Sequence, residues 1–198
     1  MLSASMGLLV FSTITITLLQ QWRLAGPALV LYSAALAMAH GAALGPTVGA
    51  LKLVATLAAV GVLAWSSAAE PTIAPVAWRP LSRAGLGQSL LLAAIAVAVL
   101  GAYRLALAWP IGGLAILSFA GYWLLGIGTL LLVTARAVVR LGLGLLLLLG
   151  AAELLHTCLS RTPDVAFLGG AATAQVLLAL AVARIAATTR AQREGVGR

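Results

Sequence analysis

Apolar runs of bilayer-crossing length, following one another with little between them, constrain this chain more than any other feature of its sequence. The clearest runs from 138 to 159. No charged residue interrupts it from 141 to 152, and as a helix the whole run is about 33 Å long, enough to cross the hydrocarbon layer. Backbone groups inside lipid must find partners within their own segment, so such a run has to be helical. The same argument covers Thr13-Ile14-Thr15-Ile16-Thr17, whose β-branched residues would favour a strand in water.

Seven runs of this kind are expected at about 5–21, 28–44, 47–69, 86–105, 112–134, 138–159 and 165–187. They imply an all-α, polytopic integral membrane protein with a single transmembrane domain, 1–187, and a polar tail, 188–198. Gly26-Pro27 and Gly45-Pro46 read as turns, and the stretch 70–80, holding Pro71, Pro75 and Pro80, reads as irregular. Segment 1–21 has no basic start and no clean small-residue cleavage site, so it reads as a retained first span and not as a signal peptide.

Composition excludes most soluble classes. The chain is 63% hydrophobic and 8% charged, with mean hydropathy +1.12. A net charge of +8 invites a nucleic-acid reading. That reading fails because the basic residues stand singly between apolar runs and form no stripe. Their distribution reports orientation instead. With the N-terminus outside, Arg23, Arg79, Arg83, Arg136, Arg140, Arg184, Arg190, Arg193 and Arg198 fall on the cytoplasmic side, and only Arg104 and Arg161 fall outside. The positive-inside rule therefore predicts N-outside and C-cytoplasmic.

Chemistry-bearing residues are few. No Ser/His/Asp arrangement, phosphate-binding glycine loop, HExxH or CxxC is present. His40, His156 and Cys158 are spread over two helices and do not make a metal or haem site, so no catalytic residue, metal or cofactor is expected. What stands out is Glu153 and His156, three residues apart on one helix face, with His40 near the end of the second run and Lys52 near the start of the third. The predicted topology places all four in the outer half of the bilayer. Ionisable groups there are expensive and mark candidate ion or proton paths. Two alternatives stay open: a polar cluster built on a Lys52–Glu153 pair, or side chains that reach individually for the interface, with Glu153 pairing with Lys52 or Arg161. Ala171, Gln175, Ala179 and Ala183 fall at steps of four along the last run and read as a small-residue packing face. The glycines of the fifth run read as close helix contacts.

Two parts of the chain resemble component E of the membrane-bound hydrogenase-4 complex. They are LLQQWRLAGPALVLYSAALAMAHGA with ALKLVATLAAVGVLAWSSAAEP, and ARAVVRLGLGLLLLLGAAELLHTCLSRTPDVAFLGGAATAQVLLALAVARI. Arg23-Leu24 and Lys52 match positions of that family, and seven spans agree with it. Its last three helices in turn look like the K subunit of complex I and the C subunit of multisubunit cation/proton antiporters. The chain departs from the family where a Glu-Asn-Gly stretch falls near Leu148-Leu149-Gly150, and where an acid of the last helix is replaced around Ala174-Gln175. The resemblance implies a non-redox subunit of a bacterial inner-membrane energy-converting complex. Its expected partners are the lipid bilayer and other integral membrane subunits, including antiporter-like ones. Soluble redox subunits would be reached only indirectly, and no nucleic acid is expected. A free-standing small transporter and a purely structural assembly subunit are the alternatives.

Overall fold

The computed structural model describes residues 2–18, 22–68, 81–135, 137–160 and 164–196. Every element among them is helical. In order they are α1 (Leu2–Leu18), α2 (Trp22–Leu44), α3 (Pro46–Ala68), α4 (Leu81–Ala108), a 3-10 turn at Ile111–Gly113, α5 (Ala115–Thr134), α6 (Val138–Leu159) and α7 (Val165–Val196). Six of them, α2 to α7, are long and apolar enough to cross a membrane, whereas the apolar part of α1 is shorter. The chain thus has the build of a polytopic membrane protein. The β-branched run 13–17 lies within α1 and is helical, as the need to satisfy backbone groups requires.

The elements differ from the sequence reading in several places, and α4, from Leu81 to Ala108, outruns the expected 86–105 at both ends because no proline interrupts those turns. Gly26-Pro27 is not a turn: α2 begins at Trp22 and carries Pro27 inside it. At this position proline forfeits a single backbone bond near the helix start, which is less than a break in lipid would forfeit. The fifth run starts later than 112, because Gly112 adopts φ 63° in the 3-10 turn after Pro110. The tail from 188 continues α7 as helix to Val196, its Ala, Thr, Arg and Gln residues holding no breaker before Gly195. The connection 70–80 lies outside the described residues.

Helix packing makes a closed ring. α1 packs on α2, α2 on α3, α3 on α7, α7 on α6, α6 on α5, and α5 back on α1, while α4 packs on the outside of α5 and α2 also touches α6 across the interior. Small residues let the backbones approach. A Cβ on Gly128 would stand 3.0 Å from the Leu148 side chain and 3.1 Å from the Gly144 carbonyl, so α5 and α6 meet almost backbone to backbone. Hydroxyl groups on the helices donate largely to carbonyls of their own preceding turn, as Thr17 does to Thr13 and Ser33 to Leu29. That leaves little polar surface for lipid, and α4 accordingly presents Leu90, Val97 and Leu100 outward.

Candidate functional site

The site begins with the α2–α3 hairpin. Gly45 turns the chain at φ 110°, a left-handed conformation open to glycine. Pro46 then starts α3, where its missing N–H is no loss. A Cβ on Gly49 would lie 2.9 Å from the Gly41 Cα, so the two helices leave the turn in close contact. This geometry brings His40, four residues before the end of α2, and Lys52, in the second turn of α3, to the same end of the bundle.

Lys52 reaches inward. Its Nζ forms an ion pair with Oε2 of Glu153 on α6. Lys52 is 4% exposed and Glu153 0%. α3 and α6 are not neighbours in the ring, so the pair crosses the interior between α2 on one side and α7 on the other. The reading in which Lys52 extends to the interface is set aside by this placement. Arg161, the other partner considered for Glu153, lies outside the described residues.

Two polar groups of α2 are electrostatic neighbours of the pair, and α6 and α7 bury further polar atoms. His40 on α2 is 0% exposed; its Nδ1 donates to the Leu36 carbonyl at 2.9 Å, leaving Nε2 without a partner. The Tyr32 hydroxyl, two turns earlier on the same face, is also buried and unpartnered, and Tyr32 is an electrostatic neighbour of Glu153. Gln175 on α7 is 1% exposed, with a free Oε1. His156 is half-buried and stacks on Phe167 of α7 with ring centroids 3.7 Å apart. Its Nε2 is buried and makes no hydrogen bond. Apart from their ion pair, Lys52 Nζ and the Glu153 carboxylate have no hydrogen-bond partner either.

Buried polar atoms are nearly always hydrogen-bonded, and each one left alone is unfavourable by about 1–3 kcal/mol. Here Tyr32 and His40 of α2 act electrostatically on the ion pair, and α6 and α7 bury further unpartnered atoms at His156 and Gln175. Such a concentration suits groups that take and release protons, with water bridging them. Among the described residues no three His, Cys, Asp or Glu side chains converge as metal ligands would.

Of the four residues singled out in the sequence, Lys52 and Glu153 are therefore in direct contact. His40 is an electrostatic neighbour of Lys52, and His156 sits a turn along α6, against α7. Ala171, Gln175 and Ala179 are buried and Ala183 is half-buried. That buried face runs on through Val182 and Ala186, following the helical period of 3.6, which a fixed step of four outruns. Tyr32 was missed. Its signal was present, since 32, 36 and 40 step by four and place Tyr32 on the face of His40.

Gly150 on α6 leaves room for Tyr32. A Cβ there would stand 2.6 Å from the tyrosine oxygen. Gly150→Ala should lower thermal stability in detergent by about 1–3 kcal/mol through overpacking, and adding Tyr32→Phe should restore most of it. Equal losses in the single and double variants would show that the hydroxyl is not what the methyl meets.

In three separate comparisons the chain matches no protein-family model, no curated protein and no solved structure.

Proposed function

We propose that this chain is a non-redox membrane subunit of a multisubunit energy-converting complex of the hydrogenase-4, complex I and cation/proton antiporter kind. In that role it supports proton or cation translocation and the assembly of antiporter-like subunits. The observation that carries this reading is the Lys52–Glu153 pair, buried among membrane-length helices with the unpartnered Tyr32 hydroxyl and His40 Nε2 of α2 as electrostatic neighbours. A chain that only filled space between neighbours could pack its interior with leucine and alanine and avoid those unfavourable groups. The sequence likeness of the hairpin and of the last two helices to hydrogenase-4 component E supplies the kind of complex.

This reading places the chain in a bacterial inner membrane with seven spans, α1 included, the N-terminus outside and the C-terminus cytoplasmic. The one-sided distribution of arginines supports that orientation. The bundle end that holds His40, Lys52 and Glu153 then faces outward.

Purification of the tagged chain in mild detergent tests the assignment. Large multi-span subunits are expected to come with it, and Lys52→Met is expected to reduce ion pumping by the resulting assembly. A reporter fused after Arg198 should be cytoplasmic, and one between Gly45 and Pro46 external. A folded, monodisperse, solitary protein that moves ions by itself would replace the subunit reading with that of a free-standing transporter. A stable assembly pumping at full rate with Lys52→Met would reduce the chain to a structural subunit.

A further inference from the structure

A cleft of about 280 Å³ opens at the end of the bundle where the α2–α3 hairpin turns. Its walls include Ala43 and Leu44 at the end of α2, Gly112 in the 3-10 turn and Leu114 just after it, and Thr157 and Cys158 at the end of α6. Gly112 fits there because it has no side chain: a Cβ would come within 1.8 Å of the Cys158 carbonyl oxygen. Two of these walls lead directly to the buried cluster. Leu44 is four residues beyond His40, and Thr157 is four residues beyond Glu153, so the cleft lies about one helical turn from both. Thr157 Oγ1 donates to the Glu153 carbonyl at 2.8 Å, which ties the cleft wall to the turn bearing the carboxylate. On the far side, a cavity of about 10 Å³ between α3 and α7 is lined by Lys52, Val48, Leu168 and Ala172. That is room for about one water.

We infer that this cleft is the aqueous mouth of a route ending on the Lys52–Glu153 pair, and that the ion exchanged there is the proton and not a metal cation. The inference rests on the proposed function for what the exchange serves. The geometry of the pair selects the ion. A metal cation beside the Glu153 carboxylate would have to displace the ammonium already there, and among the described residues no set of three acidic, His or Cys ligands could receive it. A proton needs only one or two waters across a single turn of helix. Two proton-exchanging groups of α2 act electrostatically on the pair, Tyr32 on Glu153 and His40 on Lys52, and His156 lies one helical turn beyond Glu153 on α6. A hydronium ion in the cleft gives its proton to the Glu153 carboxylate: one O–H bond of hydronium breaks and leaves water, and one carboxylic O–H bond forms. Lys52 is then an ammonium without a counter-charge, and the site has gained one positive charge; it loses that charge when an N–H bond of Lys52 breaks and the proton leaves the site on a water molecule, the amine staying neutral.

Lys52 is the chain's only lysine, so nitrogen-15 lysine labelling gives a single side-chain signal in the full chain, read by solid-state magnetic resonance in lipid bilayers. The Nζ signal should show transfer from water protons and should exchange in heavy water. Filling the cleft with Ala43→Trp, or with Leu114→Trp should the first variant fold poorly, should slow that exchange about tenfold or more. Val133→Trp, on a lipid-exposed surface elsewhere, should leave it unchanged. Replacing choline with sodium ions in the buffer should leave the signal in place. Unchanged exchange in both cleft variants overturns the route, and a sodium-dependent shift of the signal overturns the choice of proton. If cleft filling slows exchange while Lys52→Met leaves the purified assembly pumping at full rate, the route stands and the proposed function fails.

Discussion

Replacing one partner of the buried ion pair alone, as Lys52→Met or as Glu153→Leu, is expected to destabilise the bundle by about 3 kcal/mol, and replacing both should cost less than either. The reason lies in where the pair sits. Lys52 and Glu153 are shielded from solvent and lipid alike, on helices that have no extended seam with each other. Removing the lysine leaves a carboxylate with no hydrogen-bond donor; removing the acid leaves an ammonium with no acceptor. Either orphan must be neutralised by a proton exchange or stay charged in a low-dielectric interior, and both are unfavourable. The double variant has no orphan and exchanges a polar bridge for apolar contact. Thermal unfolding of the three variants in the same detergent measures the coupling directly. Additive losses would mean that the two side chains do not hold each other. If the pair also carries protons, the double variant should be stable and yet fail to support pumping, which separates a bridge that only holds helices together from one that conducts.

The sequence made that pair visible only in part. Apolar run length located α6 at Val138–Leu159, because a charge-free stretch between Arg140 and Glu153 admits one helix and no other element. The alternation of spans also put Lys52 and Glu153 at one end of the bundle. It could not say that they touch. Contact depends on which helices are neighbours in the ring, and connection lengths leave that open: α3 packs on α7, a helix more than a hundred residues away, and not on α4, which follows it. Tyr32 shares the helical face of His40, yet the sequence leaves its role open for a related reason. An aromatic hydroxyl in a membrane helix reads equally well as an interfacial anchor, and only the space over Gly150 shows that it points into the bundle. Gly112 reads as a helix position in the sequence because glycine in an apolar run carries no mark of the left-handed conformation it adopts. At Pro27 a strong local signal was overridden, since lipid penalises a broken helix more than a missing N–H.

The second large effect is expected at Trp123, where Trp123→Ala should lower stability by about 3–5 kcal/mol. Trp123 lies on α5 with no exposed surface, the largest of the fully buried side chains among the described residues. Its indole Nε1 donates to Thr13 Oγ1 of α1 at 2.8 Å, and that hydroxyl in turn donates to the Leu9 carbonyl. The ring therefore does two things at once: it fills the seam between α1 and α5, and it satisfies a polar group on a helix whose inner face also buries Ser5, Ser12 and Thr17. Arg140 Nη2 makes the other tie, donating at 2.8 Å to the carbonyl of Thr17. That carbonyl belongs to the last turn of α1, where acceptors have no partner within the helix and a cation is favoured. Because α1 is the shortest of the apolar helices, it depends on these contacts more than its neighbours depend on theirs. Trp123→Phe should keep most of the volume and lose only the hydrogen bond, about 1 kcal/mol, whereas Trp123→Ala should also release α1. Limited proteolysis of the N-terminal segment in detergent would show it, with cleavage rising sharply in Trp123→Ala, modestly in Arg140→Gln and little in Trp123→Phe. If Trp123→Ala unfolds the whole bundle in one step without earlier cleavage of α1, the helix is a cooperative part of the ring and not a strap closed over it.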